Sequence, residues 1–327
     1  MNVHITAADR LGEERLPGGR LLAWAEWGPV DGTPVLHSPG AATTRALGFG
    51  ADAVDALGVR LISLDRPGLG SSTPAPGRTF ADFAADIRAF AEQRGLGRPA
   101  MLGNSQGAPF ALACAAAGTV GALALVSAAD EVAAPHFAAP GPADAAAVTS
   151  RAAEPPRAEP PRADPFPADP FPADPFPADP FPAELRRLID LAVADPQAAE
   201  ELFAGFTPQA MWDMVMAGSP APDLAVYRSP AFAAAYRRAL DTAFAQGPAG
   251  YARDTALAMG RWGIDFSAVT VPVDVWYGEL DTTHSPDQGA TLSSRLPTAT
   301  RHTVPGAGGA LLWTHAEEIF RTLLERI

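Results

Sequence analysis

Gly103-Asn104-Ser105-Gln106-Gly107 is the segment of this chain whose residue types and spacing point most directly to chemistry. It follows one apolar run and opens another, the strand-to-helix setting in which a serine between spaced glycines becomes a nucleophile. The two glycines let the backbone turn sharply without Cβ clashes, so the Ser105 hydroxyl stands clear of the strand ends. The next N–H, that of Gln106, can donate to a developing oxyanion. The chemistry so described is acyl transfer, and it needs a base, because a serine hydroxyl is a weak nucleophile at neutral pH. Six histidines are available, namely His4, His37, His136, His284, His302 and His315.

Composition narrows the function classes. The 24 basic residues are all arginine, which excludes a Schiff-base lysine and a P-loop lysine, and with them PLP chemistry and Walker-type nucleotide hydrolysis. A net charge of -13 argues against nucleic acid as a partner. The sequence shows neither a metal-ligand cluster nor a Gly-rich phosphate loop, so no cofactor is expected, and the expected partner is a small-molecule substrate. Cys114 is the only cysteine, so no internal disulfide can form. Residues Met1 to Arg15 contain no apolar h-region, and a cytoplasmic location is expected. Pro99 to Ala129 lacks charge and imitates a membrane span, but Gly103, Gly107, Gly118 and Gly121 cut it into strand, helix and strand, so no membrane association is expected.

The elements that must position Ser105 are short apolar runs alternating with helical patterns. Strands are expected over Leu21 to Trp27, Pro34 to His37, Val59 to Leu64, Ala100 to Gly103, Ala122 to Ser127, Val271 to Tyr277 and Arg301 to Val304. Thr79 with Asp82 makes a capping-box start for a helix to about Arg94, with Phe83, Ile87 and Phe90 on one face. Further helices are expected over Ala108 to Ala117, Ser285 to Leu296 and Thr314 to Ile327. The alternation implies an α/β fold with a doubly wound, mostly parallel sheet.

Between about Asp130 and Gly263 the strand pattern stops, which predicts a core built from 1–129 and 264–327 and an inserted helical lid over 130–263. Within the lid lie six proline-bearing pentapeptides over 154–183, ending in four copies of Asp-Pro-Phe-Pro-Ala. Two prolines per five residues preclude helix or central strand, so an extended surface tract is expected, with Phe166, Phe171, Phe176 and Phe181 able to fold back on apolar surface. Leu185 to Val193, Ala198 to Phe203, Ala210 to Met216 and Phe232 to Phe244 read as helices. Met211, Trp212, Met214 and Met216 are candidate pocket walls, core packing being the competing reading.

Four segments resemble the α/β-hydrolase superfamily, and within it prolyl-iminopeptidase-like and related bacterial hydrolases. They are His37-Ser38-Pro39-Gly40, the turn Asp65 to Ser72, the segment around Ser105, and Gly278-Glu279-Leu280-Asp281. The resemblance implies that Asp281, after the seventh strand, orients a catalytic histidine, that His37 supports the oxyanion loop, and that Asp65 to Ser72 is structural. A lid carboxylate is one partner open to Arg66.

Two departures from the family pattern bear on mechanism. Family members carry histidine after the last strand in a Gly-x-Gly-His context, whereas this chain reads Gly306-Ala307-Gly308-Gly309. His284, three residues past Asp281, stands where similar hydrolases usually have an apolar pocket residue, and its imidazole could fill the vacated space. His315 is the alternative base, and absence of a base the third possibility. The second departure is Pro39, which lacks the N–H expected of the second oxyanion donor, so that Ser38 or Gly40 must substitute. The leading expectation is a serine hydrolase of an ester or amide of a mid-sized apolar molecule, with Ser105, His284 and Asp281 as its catalytic residues. The alternatives are a cyclase, lyase or isomerase on the same fold, or a silent binding protein.

Overall fold

The structure, a computed structural model, describes residues 5–137 and 181–327. In chain order the first half runs β1 (Arg10–Arg15), β2 (Leu21–Trp27), β3 (Thr33–Ser38), α1 (Ala51–Ala56), β4 (Val59–Leu64), α2 (Phe80–Gln93), β5 (Ala100–Asn104), α3 (Ala108–Ala116) and β6 (Ala122–Val126). Six helices follow among the described residues: α4 (Ala183–Ala194), α5 (Pro196–Phe203), α6 (Pro208–Gly218), α7 (Ala221–Tyr227), α8 (Pro230–Ala243) and α9 (Ala249–Met259). The chain then returns to the sheet with β7 (Val273–Gly278), α10 (Ala290–Arg295), β8 (Ala299–Val304), α11 (Leu311–Thr314) and α12 (Ala316–Leu324).

The eight strands form one sheet in the order β1-β2-β4-β3-β5-β6-β7-β8. β2 runs antiparallel to β1 and β4, and every other pairing is parallel. Strands β5, β6 and β7 are buried along their whole length, as uninterrupted apolar runs in a sheet covered on both faces require. The uncharged stretch from Pro99 to Ala129 is thus β5, α3 and β6, and among the described residues no helix is long and apolar enough to cross a membrane. One face of the sheet packs Phe83, Ile87 and Phe90 of α2 with Phe110 of α3, and the other packs Val54 of α1 with Phe320 and Leu323 of α12. A third apolar cluster joins Met211, Phe232, Tyr236 and Tyr251 of the inserted helices to Ala42 and Leu47 above the strand ends.

The capping box of α2 forms as expected, with Thr79 N donating to Asp82 Oδ2 at 2.8 Å and Asp82 N to Thr79 Oγ1 at 3.1 Å. Three local expectations change. The helix expected from Ser285 begins only at Ala290, because Gln288 and Gly289 have φ of 50° and 72° and the Ser285 and Asp287 side chains cap the amides of Gly289 and Thr291. The final helix, expected over Thr314 to Ile327, runs from Ala316 to Leu324 and is preceded by a separate single turn, α11. An edge strand, β1, had no signal, since Arg-Leu-Gly-Glu-Glu-Arg buries no residue fully. The pentapeptide tract lies outside the described residues up to position 180; Phe181, at its end, packs edge-on against Phe137 at 5.8 Å.

Strand order reverses around β3, which has β4 on one side and β5 on the other. Ligands of open α/β sheets bind beyond the carboxyl ends of strands at such a switch point. The segments leaving β3 and β5 there are Pro39-Gly40 and Ser105.

Candidate active site

Ser105 follows β5 directly and opens a single 3₁₀ turn, Ser105–Gly107, that leads into α3. Its φ is 50°, a left-handed conformation that costs a serine about 1–3 kcal/mol and persists only where the surroundings enforce it. Here the main chain of β3 enforces it: a Cβ at Gly107 would overlap the carbonyl oxygen of Ser38. Ser105 O also accepts from Ala129 N at 3.0 Å, which pins the turn to the loop after β6.

Asp281 lies fully buried beyond β7, and its carboxylate accepts from Thr283 N at 3.2 Å and His284 N at 3.3 Å. His284 Nδ1 lies 2.9 Å from Asp281 Oδ2 and 3.0 Å from Oδ1. A carboxylate only accepts, so Nδ1 carries the proton and Nε2 is left free. The ring occupies a particular volume: a Cβ at Gly309 would stand 2.7 Å from His284 Cε1 and 3.0 Å from Nδ1. His284 O is held by Asp130 N at 3.3 Å. His284 and Ser105 border the same cavity and form no direct hydrogen bond to each other.

Charge in this cluster is strongly biased. Burial alone would raise the Asp281 carboxyl, but the His284 imidazole and the surrounding N–H donors outweigh it and hold the group below its ordinary value. Burial would likewise lower His284, and the carboxylates of Asp281 and Asp223 reverse this, placing its pKa above the ordinary 6.5.

The loop after β3 is shaped by Arg66, whose side chain is fully buried. Its guanidinium donates to Pro39 O, to Gly40 O at 3.1 Å and to Asp254 Oδ2 on α9 at 2.7 Å. A trans peptide points its N–H opposite to its C=O, so fixing the Pro39 carbonyl on Arg66 turns the Gly40 N–H the other way. Gly40 abuts Ser105, a Cβ there lying 3.3 Å from Ser105 Cβ, and its N–H has no acceptor among the described residues. Ser38 is fully buried as the last residue of β3, opposite Gly103, and does not line the cavity. Gln106 follows Ser105 directly, and its side chain is tied to Thr255 Oγ1 at 3.0 Å. His37 stacks edge-on against Phe49 at 4.9 Å with Nδ1 3.1 Å from Ser63 Oγ, and burial drives its pKa down to about 3, so the ring is neutral.

These groups converge on a cavity of about 340 Å³. Its floor is Gly40, Ser105 and His284, and its walls are mostly apolar side chains of α6 and α8 with Leu47 and Trp313. Met211 and Met214 line it as expected of pocket walls, as does His37. Trp212 does not: it faces a separate surface hollow, under the Arg237 guanidinium at 3.9 Å. His315 is also elsewhere, bonded through Nδ1 to Thr314 Oγ1 at 2.8 Å in a hollow that excludes Ser105. His302 stacks on Trp276 and bonds Asp274 at 2.8 Å, remote from the cavity.

The description "alpha/beta hydrolase fold" fits residues 34–316, which include every element of this site. The chain belongs to the alpha/beta hydrolase fold family. No curated protein sequence matches it. Among solved structures it is similar to an esterase from Rhodococcus (18% identity, TM-score 0.59, covering 95% of this chain and 96% of that one). It is similar too to a thermophilic esterase from Thermogutta terrifontis (18%, 0.60, 97% and 98%) and to an enol-lactonase from Burkholderia xenovorans (16%, 0.61, 96% and 98%). At these identities the likeness concerns the fold.

Three site features of this hydrolase-fold chain were left open or missed by sequence reasoning. Gly40 was one of two open choices for the loop donor, and only the Arg66 clamp separates it from Ser38. The lid carboxylate open to Arg66 is Asp254, 188 residues away, and no spacing singled it out. Asp223, on α7, accepts from Gly309 N at 2.7 Å and Ala310 N at 3.0 Å and reaches the cavity wall, with no motif around it to mark it.

Proposed function

We propose that this protein is a serine hydrolase that cleaves an ester or amide of a mid-sized, uncharged, apolar acid through an acyl-enzyme on Ser105. One observation carries the reading: the His284 imidazole, fixed to Asp281 through Nδ1, fills the volume beside Gly309 and faces the cavity that holds Ser105. Ser105 Oγ adds to the substrate carbonyl as His284 Nε2 accepts its proton, and Asp281 stabilises the imidazolium. The oxyanion takes hydrogen bonds from Gln106 N–H and Gly40 N–H. Collapse breaks the bond to the leaving group, which takes the proton from His284. Water then attacks the acyl-Ser105 ester with His284 again as base, releasing the acid and restoring the serine.

Substrate character follows from the walls. The aliphatic and aromatic side chains of α6 and α8 favour an apolar acyl group. Among the described residues no arginine borders the cavity, and Asp223 and Asp281 set a negative field at its base, so a substrate carboxylate would be desolvated without an arginine to pair with. In this reading the segment 130–263 is a lid on a core of 1–129 and 264–327, and the likeness of the four motif segments supports a prolyl-iminopeptidase-like hydrolase acting in the cytoplasm. Hydrolysis of p-nitrophenyl butyrate against its ω-carboxylate analogue, p-nitrophenyl hemiglutarate, tests substrate and reaction together. The neutral ester is expected to be cleaved at least about 10²-fold faster in kcat/KM, and equal rates, or no cleavage of either, would count against the proposal.

The missing direct bond between Ser105 and His284 favours a second reading, in which Ser105 only donates a hydrogen bond to substrate in a cyclase, lyase or isomerase. Catalytic hydrogen bonds of this kind often tighten only in the complex with substrate. Acylation of Ser105 separates the two readings.

A further inference from the structure

Asp223 sits in the first turn of α7, an element of the helical insertion, yet its carboxylate is buried against a loop of the sheet domain. Oδ2 accepts from Gly309 N at 2.7 Å and Oδ1 from Ala310 N at 3.0 Å. The fit demands glycine on the loop side, because a Cβ at Gly308 would overlap Oδ1 and lie 2.5 Å from Oδ2. Adjacent glycines therefore receive side chains from two other elements, Gly308 the Asp223 carboxylate and Gly309 the His284 ring. The Gly309 position borders that ring, and Asp223 binds the amides of Gly309 and Ala310.

We propose that Asp223 is a positioning residue for the base: it fixes the Gly309–Ala310 turn behind His284 and adds a second negative charge beside the ring. This rests on the reading of His284 as the base of Ser105. Burial raises the Asp223 carboxyl above its ordinary value, and the two amide donors matched to its two oxygens offset part of that rise in favour of the ionised form. The titratable and charged groups near the ring are Asp281 on its own loop, Asp223 and the neutral Tyr227 from α7, and the neutral His37 across the cavity; Asp130 touches only the His284 main chain. Asp223 is thus the only carboxylate that the helical insertion presents to His284 among the described residues. Its consequence is that insertion and base are coupled: the Gly309 and Ala310 amides of the turn behind the imidazole are held by a side chain of α7.

NMR titration of the His284 ring tests this without requiring turnover. In Asp223→Asn the ring is expected to titrate at lower pH than in the unsubstituted protein, because a neighbouring negative charge has gone, and fluorophosphonate labelling of Ser105 is expected to slow at least about tenfold at high pH as the turn loosens. Gly308→Ala keeps the charge in the chain but expels it from its seat, and should slow labelling to a similar degree. An unchanged His284 midpoint in a folded Asp223→Asn, or an unchanged labelling rate in Gly308→Ala, would overturn the proposal. Absence of Ser105 labelling in the unsubstituted protein would instead defeat the hydrolase reading, while the ring titration would still decide whether Asp223 acts on His284.

Discussion

The Cβ that position 309 lacks would stand 2.7 Å from Cε1 of His284, inside carbon–carbon contact, so the imidazole occupies space that any larger residue at 309 would claim. A side chain there and the His284 ring are mutually exclusive. Gly309→Ala should therefore push the ring off Asp281. Overpacking of this kind costs about 1–3 kcal/mol in stability, and activity is expected to fall by about 10²-fold as the base is misplaced. Thermal unfolding and ester hydrolysis measured together check both.

The same exclusion makes a transplant possible. His284→Ala should abolish the base, with a loss of about 10⁴- to 10⁶-fold in kcat. Adding Gly309→His to His284→Ala places an imidazole at the position where the resemblance to α/β-hydrolases leads one to expect it, into the room that the first change vacates. Partial recovery of kcat in the double variant, against none in Gly309→His alone, is the expected result.

pH enters through the direction of the His284 shift. Its pKa lies above 6.5, and the base works only when neutral, so kcat/KM should rise with pH along an arm whose midpoint exceeds 6.5. Stability should run the other way. A histidine raised in the folded state contributes its full stabilisation below the unfolded value and loses it as pH climbs through the folded one, so this share of stability fades just as activity appears. A Tm–pH series on the unsubstituted protein and His284→Ala isolates that share as the difference in slope.

Arg66 offers a test of the proposed oxyanion hole away from Ser105, His284 and Asp281. Lysine keeps the charge but cannot span Pro39 O, Gly40 O and Asp254 at once. Arg66→Lys should release the Gly40 N–H and lower kcat by about 10²–10³-fold, the worth of one oxyanion donor, with little change in the midpoint of the pH arm. A shifted midpoint would mean that Arg66 acts on His284 instead.

How far these features could be read beforehand depended on how local they are. The turn at Ser105 was legible because two glycines at fixed offsets have few other uses before an apolar helix, and α2 because its capping box and its phenylalanine face lie within one stretch of chain. His284 was legible only as a position close to Asp281; that its ring fills the place beside Gly309 is a contact between segments 25 residues apart. Arg66 with Asp254 and Asp223 with Gly309 span 188 and 86 residues, and no spacing rule reaches that far. Trp212 shows the opposite failure: on a helix, its neighbour Met211 faces the cavity and Trp212 turns away, a choice that the apolar character of both residues could not make.

Reaction of the intact protein with a fluorophosphonate, followed by mass measurement, tests the central claim most directly. One adduct on Ser105 is expected, absent in Ser105→Ala, slowed by orders of magnitude in His284→Ala and unaffected in His315→Ala. No adduct at any pH, or one formed equally well without His284, would contradict a Ser105 nucleophile driven by a histidine from beside Asp281.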